Sequence, residues 1–116
     1  MREKNKKRAY DLTDDLLQEV KDNLILDHDE DDVLIKRYIR NAAAYAESFQ
    51  KKPSGTYKRA DDMPLTTRQA VIMLASHYYE SRDGSTGGFF ADSVRAGEHV
   101  WEVIRPMLQL EKDWQV

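Results

Sequence analysis

The sequence lacks cysteine, and no apolar stretch in it approaches the length of a membrane span. With no Cys among 116 residues, disulfides and thiolate metal sites are excluded, which fits a reducing compartment. A transmembrane helix needs about 20 consecutive apolar residues, and the charged start is not followed by the apolar run of a signal peptide. Only 3 Pro and 5 Gly interrupt the chain. We therefore expect one small helical domain with neither a secretion signal nor a membrane anchor.

Charge is abundant but unevenly spread. Charged residues make up 34% of the chain, and the net charge is −3. Residues 1–8 contain five basic side chains and one acidic side chain, Glu3. The remainder therefore has 13 basic and 20 acidic residues, a net charge of −7. A domain of that sign does not attract nucleic acid over its whole surface. We expect residues 1–10 to form a flexible basic arm.

Apolar periodicity predicts four helices and no strand. Each predicted helix has an inward face of apolar residues that recur every three or four positions. The residues predicted to face inward are Leu16, Leu17, Val20, Leu24, Ile35, Ile39, Ala42, Ala46, Phe49, Val71, Leu74, Ala75, Tyr78, Tyr79, Val94, Val100, Trp101 and Ile104. The longest of them follows the acidic corner, which we define as residues 27–32, DHDEDD. The predicted helices run from about Thr13 to Leu26, from the acidic corner to about Gln50, from Thr67 to Arg82 and from Ser93 to Arg105.

Local signals suggest how these helices begin and end. Asp29 is a plausible N-cap for the second helix. Pro64 precedes the third helix, where Thr66 and Gln69 have the spacing of a capping box. Pro106 is expected to end or kink the fourth helix. The fold predicted from these features is all-α, a small bundle of about four helices with two long loops and extended termini.

The two loops and the C-terminus supply candidate contact residues. The basic loop, residues 51–63, combines four cations with a tyrosine, and the second loop, residues 83–92, is rich in glycine and includes two phenylalanines. Exposed aromatic side chains are unfavourable in a monomer, and buried tryptophans often dominate interfaces. The alternatives are an ordinary exposed loop and phenylalanines that cover the core. The candidate contact residues, toward another subunit or a partner protein, are Lys51, Lys52, Tyr57, Lys58, Arg59, Phe89, Phe90 and Trp114.

No residue pattern predicts catalysis, a metal site or a cofactor. The alternating aspartates of the acidic corner resemble an EF-hand loop, but Asp32 occupies the position that requires Gly, and Tyr38 the position that requires Glu. The three histidines, His28, His77 and His99, lack metal-ligand spacing. No constellation of nucleophile, base and metal can be assembled from these residues. We therefore expect no enzymatic activity, no metal and no cofactor.

Three apolar segments, taken in order, resemble a known family. They are LTDDLLQEVKDNLILDHDEDDVLIKRYIRNAAAYAESF, PLTTRQAVIMLASHYYESRD and VWEVIRPML. Together they resemble the small head–tail connector (adaptor) proteins of long-tailed bacteriophages and prophages, sometimes labelled DNA-packaging proteins. The resemblance covers about residues 11–108. It implies a helical connector domain over 11–108, flanked by the basic arm (1–10) and a C-terminal tail (109–116).

The resemblance also implies a role without chemistry. The protein would form a ring of about a dozen copies below the portal protein, extend the DNA channel and receive a downstream tail or stopper protein. DNA would pass without sequence-specific binding, no membrane would be involved, and the protein, made in the bacterial cytoplasm, would reside at the head–tail junction of the virion. The alternative is a small helical DNA-binding or regulatory protein that uses its basic arm, for which DNA affinity would fall steeply with salt.

Overall fold

Four α-helices and one short 3-10 helix make up the part of the chain that the structure, a computed structural model, describes. That part comprises residues 10–82 and 89–112, with side chains described at 10–82 and 99–112. No strand occurs within these ranges, and the predicted all-α bundle of about four helices is confirmed. The elements are α1 Leu12–Leu24, α2 Asp32–Phe49, the 3-10 helix Ala60–Asp62, α3 Leu65–Glu80 and α4 Phe89–Gln109.

The apolar faces of the helices meet in one core. Helix α3 packs against each of the other three helices, whereas α4 touches α2 only lightly. Burial of one Leu, Ile or Val side chain contributes about 1.5–3 kcal/mol, so this shared core is the main source of stability. Among the residues predicted to face inward, those that are buried are Leu16, Val20, Ile35, Ile39, Ala42, Ala46, Val71, Leu74, Ala75, Tyr79 and Ile104.

Helix α1 begins at a capping box that sequence reasoning missed. The Asp11 Oδ1 atom accepts hydrogen bonds from the backbone N–H groups of Thr13, at 3.0 Å, and Asp14, at 3.4 Å. In return, Asp14 Oδ2 accepts from the Asp11 N–H at 3.0 Å. These bonds satisfy donors that a helix start leaves unpaired, and they place the start at Leu12, one residue before the prediction.

Two predicted caps are wrong. The residue at the N-cap position of α2 is Asp31 rather than Asp29, and its side chain makes no capping hydrogen bond; the Asp29 carboxylate forms an ion pair with Lys21. Helix α3 begins directly after Pro64 and has no side-chain cap. The predicted box of Thr66 and Gln69 therefore lies inside the first turn of α3, where it does not cap the helix.

Helix α4 extends beyond its predicted limits at both ends. It begins at Phe89, so the backbone of Phe89 and Phe90 is helical rather than part of a loop. It also continues through Pro106 to Gln109, although proline removes one helical hydrogen bond. Ile104 and Leu108, on either side of Pro106, are both 0% exposed. Their burial stabilises the last turns and offsets the lost bond.

Candidate interaction surfaces

Two carboxylates fix the conformation of the basic loop, one from α2 and one within the loop itself. Glu47, near the end of α2, is buried and accepts hydrogen bonds from the N–H groups of Gly55 (Oε1, 3.1 Å) and Tyr57 (Oε2, 2.8 Å). Asp62 Oδ2 accepts from two further N–H groups of the loop, at 3.2 and 3.0 Å. Because hydrogen bonds to charged acceptors are the stronger kind, the loop backbone has a defined conformation.

Gln50 joins the basic loop to three helices. Its side chain is 0% exposed, and its Oε1 atom accepts a hydrogen bond of 2.6 Å from the Tyr57 hydroxyl. Its Nε2 atom donates to Thr67 Oγ1 at 2.8 Å and to the Leu108 carbonyl at 3.0 Å. Burial raises the pKa of the Tyr57 phenol. The end of α2, the loop, the start of α3 and the end of α4 therefore share one buried polar network.

Arg59 links the basic loop to α1. Its guanidinium binds both carboxylate oxygens of Asp15, with Nε at 2.7 Å from Oδ2 and Nη2 at 2.8 Å from Oδ1. The N–H of Ala60 donates to the same carboxylate at 3.0 Å. The hydrogen bond from Arg59 lowers the pKa of Asp15 and outweighs the opposing effect of burial. The charge of Arg59 is thus largely used within the chain.

Two further ion pairs connect α1 to its neighbours. Asp14 Oδ1 lies 2.8 Å from Lys36 Nζ on α2. Glu19 Oε2 lies 2.6 Å from Arg68 Nη2 on α3. These acids lie on the side of α1 that faces the other helices, so their charges orient the bundle rather than face a partner.

The acidic corner is tied to the bundle through three of its acids. The Nζ atom of Lys21, a buried residue, lies 2.5 Å from Asp29 Oδ1 and 2.9 Å from Asp32 Oδ1. The hydrogen bond to Asp29, followed by that to Asp32, raises the pKa of Lys21. The hydroxyl of Tyr79, near the end of α3, donates to Asp31. A cation from α1 and a phenol from α3 thereby hold the corner in place.

A groove opens between the start of α1, the outer face of α2 and the basic loop. It has a volume of about 460 Å³, and Arg40 belongs both to it and to an adjoining hollow on α2 that contains Arg37. We name this combined surface the basic groove. Tyr10 and Ala44 contribute exposed apolar atoms to it, and Lys58 contributes a cation from the loop.

Aromatic side chains gather where α4 lies against α2. The Trp101 ring makes edge contacts with Tyr45, at a centroid distance of 5.2 Å, and with Phe49, at 5.8 Å. The Arg105 guanidinium lies 5.9 Å from the Trp101 ring centre. Trp101 and Phe49 are half-buried and Tyr45 is exposed. Trp101, predicted to face inward, thus lies at the edge of the core, and part of its ring is accessible to a partner protein.

The eight residues predicted as contacts have different positions. The described structure brings three exposed cations of the basic loop to one end of the bundle, beside Arg40, which the sequence did not single out. The signal available for Arg40 was its spacing from Lys36 and Arg37 on one side of α2. Lys51, Lys58 and Arg59 are exposed, Lys52 is half-buried, Tyr57 is buried, and the side chains of Phe89 and Phe90 and the whole of Trp114 lie outside the described residues.

Potential metal ligands are not clustered in the described ranges. Across 10–82 and 89–112, no set of three or more His, Cys, Asp or Glu side chains is arranged to hold a metal ion. None of the helices in these same ranges has the length and apolar character needed to cross a bilayer.

A comparison with models of known families gives a match that covers most of the bundle. The family described as Phage gp6-like head-tail connector protein matches residues 14–99, which is more than half of the chain. The matched span runs from the first turn of α1 into α4. No curated protein and no solved structure gives a significant match.

Proposed function

The chain belongs to the gp6-like head–tail connector family of phages, and we propose that it forms a ring below the portal that joins the head to the tail. In this proposal the ring extends the DNA channel, and its other face receives a downstream tail or stopper protein. The proposed location is the head–tail junction of the virion. The family match over residues 14–99 is the observation that carries the proposal.

The surfaces described above support an assembly role. A head-to-tail contact between identical subunits closes into a ring when the rotation between neighbours fits. Such a contact requires two different surfaces on one subunit. The chain offers the basic groove along α2, the acidic corner just before α2 and a partly exposed aromatic cluster near α4. The proposed role needs no catalytic step.

The mass of the purified protein across a concentration series tests the proposal, with negative-stain images of the same samples. We expect closed rings, either alone at high concentration or after addition of portal protein. The images would give the copy number, for which the proposal expects about a dozen. A strictly monomeric protein that also fails to bind portal would refute the proposal.

DNA binding is the competing function, and the same preparation tests it. A protein that neutralises several phosphates loses affinity steeply as salt rises. The pairing of Arg59 with Asp15 and of Lys36 with Asp14 reduces the positive charge available to phosphates. We therefore expect weak binding to duplex DNA, and a high, strongly salt-dependent affinity would favour the regulatory alternative.

A further inference from the structure

We propose that the acidic corner of one subunit docks into the basic groove of the next copy of this chain. The inference rests on the proposed ring function and assigns the two surfaces that meet in it. It names a partner of defined chemistry, a second copy of the same chain, and pairs Asp27 and Glu30 of one subunit with Arg37 and Lys58 of its neighbour.

The acidic corner retains charge that the fold does not use. Three of its acids bind Lys21 or Tyr79 within the chain. The other two, Asp27 and Glu30, are exposed, and no side-chain hydrogen bond or ion pair engages them among the described residues. The fold therefore fixes the backbone of the corner while leaving these two carboxylates available to another molecule.

The basic groove has the matching free cations. Arg37 and Lys58 are exposed and form no ion pair within the described ranges, while Arg40 has only one long contact, 3.5 Å from Asp11. The two carboxylates among the groove's lining residues are already engaged, since Asp11 caps α1 and Glu47 binds two N–H groups of the loop. The groove therefore presents positive charge beside the exposed apolar surface of Tyr10.

The two surfaces are different and do not pair within one subunit. Asp32, at the corner, and Arg37, in the groove, lie on α2 five positions apart, which is about 7.5 Å along a helix. In the described residues, however, neither Asp27 nor Glu30 forms an ion pair with a cation of the groove. Two different surfaces on one subunit produce a heterologous, head-to-tail contact, the kind that closes into a ring. Because each subunit has one corner and one groove, every copy in a closed ring satisfies both surfaces.

A second copy fits the groove better than an unrelated acidic partner. Complementary potentials steer association and fix the register of an interface, and here both halves of the complementary pair occur in one chain. Exposed ion pairs between proteins are individually weak. A single contact between one corner and one groove is therefore weak and reversible. A closed ring is stable because every subunit in it makes the same contact twice, once with each neighbour.

Charge reversal of each surface tests the contact directly. The groove variant is Arg37→Glu with Lys58→Glu, and the corner variant is Asp27→Lys with Glu30→Lys. None of these four side chains forms an ion pair in the described structure, so both variants should keep wild-type helicity by circular dichroism. Glu102→Lys, a reversal at an exposed position of α4 that belongs to neither surface, is the control.

The assay measures assembly by mass photometry and sedimentation, alone and with portal protein. Each variant alone should need at least about tenfold more protein than wild type to assemble, because like charges then face each other. An equimolar mixture should assemble again, since the basic corner of one variant fits the acidic groove of the other. Glu102→Lys should behave as wild type.

Each possible result decides the inference. The inferred contact would be overturned by variants that assemble as wild type does, or by a mixture that does not recover assembly. If the wild type forms rings in the same experiment, the proposed function would remain intact. A wild type that binds portal only as single copies would overturn this contact but not the connector role. Loss of duplex DNA binding in the groove variant, with unchanged assembly, would assign the groove to phosphates and overturn the proposed contact.

Discussion

Replacement of Gln50 by leucine should destabilise the bundle more than any exposed substitution. Leucine has a similar volume but can neither accept the Tyr57 hydroxyl nor donate to Thr67 and Leu108. The side chain of Gln50 is 0% exposed, so water cannot replace the lost partners without opening the end of the bundle. The expected result is a folded protein with a clearly lower free energy of unfolding.

The magnitude follows from the number of partners left unsatisfied. A buried polar group without a hydrogen bond costs about 1–3 kcal/mol. The Leu108 carbonyl keeps the Glu111 N–H as a donor at 3.2 Å. Two groups therefore lose a partner without replacement: the Tyr57 hydroxyl loses its acceptor and Thr67 Oγ1 loses its donor. We expect a loss of about 3 kcal/mol, which for a domain of this size lowers Tm by about 10–15 °C.

Urea unfolding followed by circular dichroism at 222 nm measures this loss. Gln69→Leu, at an exposed position of α3, is the matched control and should change the unfolding free energy by less than about 0.5 kcal/mol. Tyr57→Phe removes one partner of Gln50, so the double variant should lose less than the sum of the single losses. A loss below about 1 kcal/mol for Gln50→Leu, or strict additivity, would refute the network.

Three other predictions concern single groups. Ile25 has φ 58° and is 90% exposed, so Ile25→Gly should relieve left-handed strain and raise the unfolding free energy by about 1 kcal/mol; a lower Tm would contradict this. The Arg59 hydrogen bond lowers the pKa of Asp15 below 3.8, so its stabilisation is present above that pH and is lost as pH falls through the folded value. Asp15→Asn should flatten the acid limb of a urea-midpoint pH profile. Burial raises the pKa of Tyr57 above 10.0, so its stabilisation is present below pH 10.0 and is lost as pH rises through the folded value; an alkaline limb unchanged in Tyr57→Phe would contradict this.

The helical faces could be predicted because burial follows a local period. Ile35, Ile39, Ala42 and Ala46 recur every three or four residues, and each is at most 1% exposed in the structure. A stripe of this kind has one stable arrangement, in which it packs against other apolar stripes. The sequence therefore contains enough information to define which side of α2 faces the core.

The polar network around Gln50 could not be predicted from such periods. Its partners Thr67 and Leu108 lie 17 and 58 residues away in sequence, so no window of neighbouring residues contains the interaction. Glu47 presents the same difficulty, since an acid near a helix end normally faces solvent. Both side chains are buried because the basic loop folds back over them.

Competition between local and distant partners explains the failed N-cap. An aspartate just before a helix is a good cap by local rules, and Asp29 satisfies them. Lys21, eight residues earlier, offers Asp29 an ion pair at 2.5 Å. Asp31, which occupies the N-cap position, likewise accepts a hydrogen bond from Tyr79 and does not cap the helix with its side chain. The prediction would have required knowledge of the α1–α2 packing.

The fixed conformation of the basic loop restricts how any partner can bind it. Glu47 and Asp62 already accept hydrogen bonds from four of its N–H groups, so a partner strand cannot pair with those groups. What remains accessible is the side chains, above all Lys51 and Lys58. A preordered loop also loses little conformational entropy on binding. Recognition through this loop should therefore depend on the position of charges and should weaken as salt screens them.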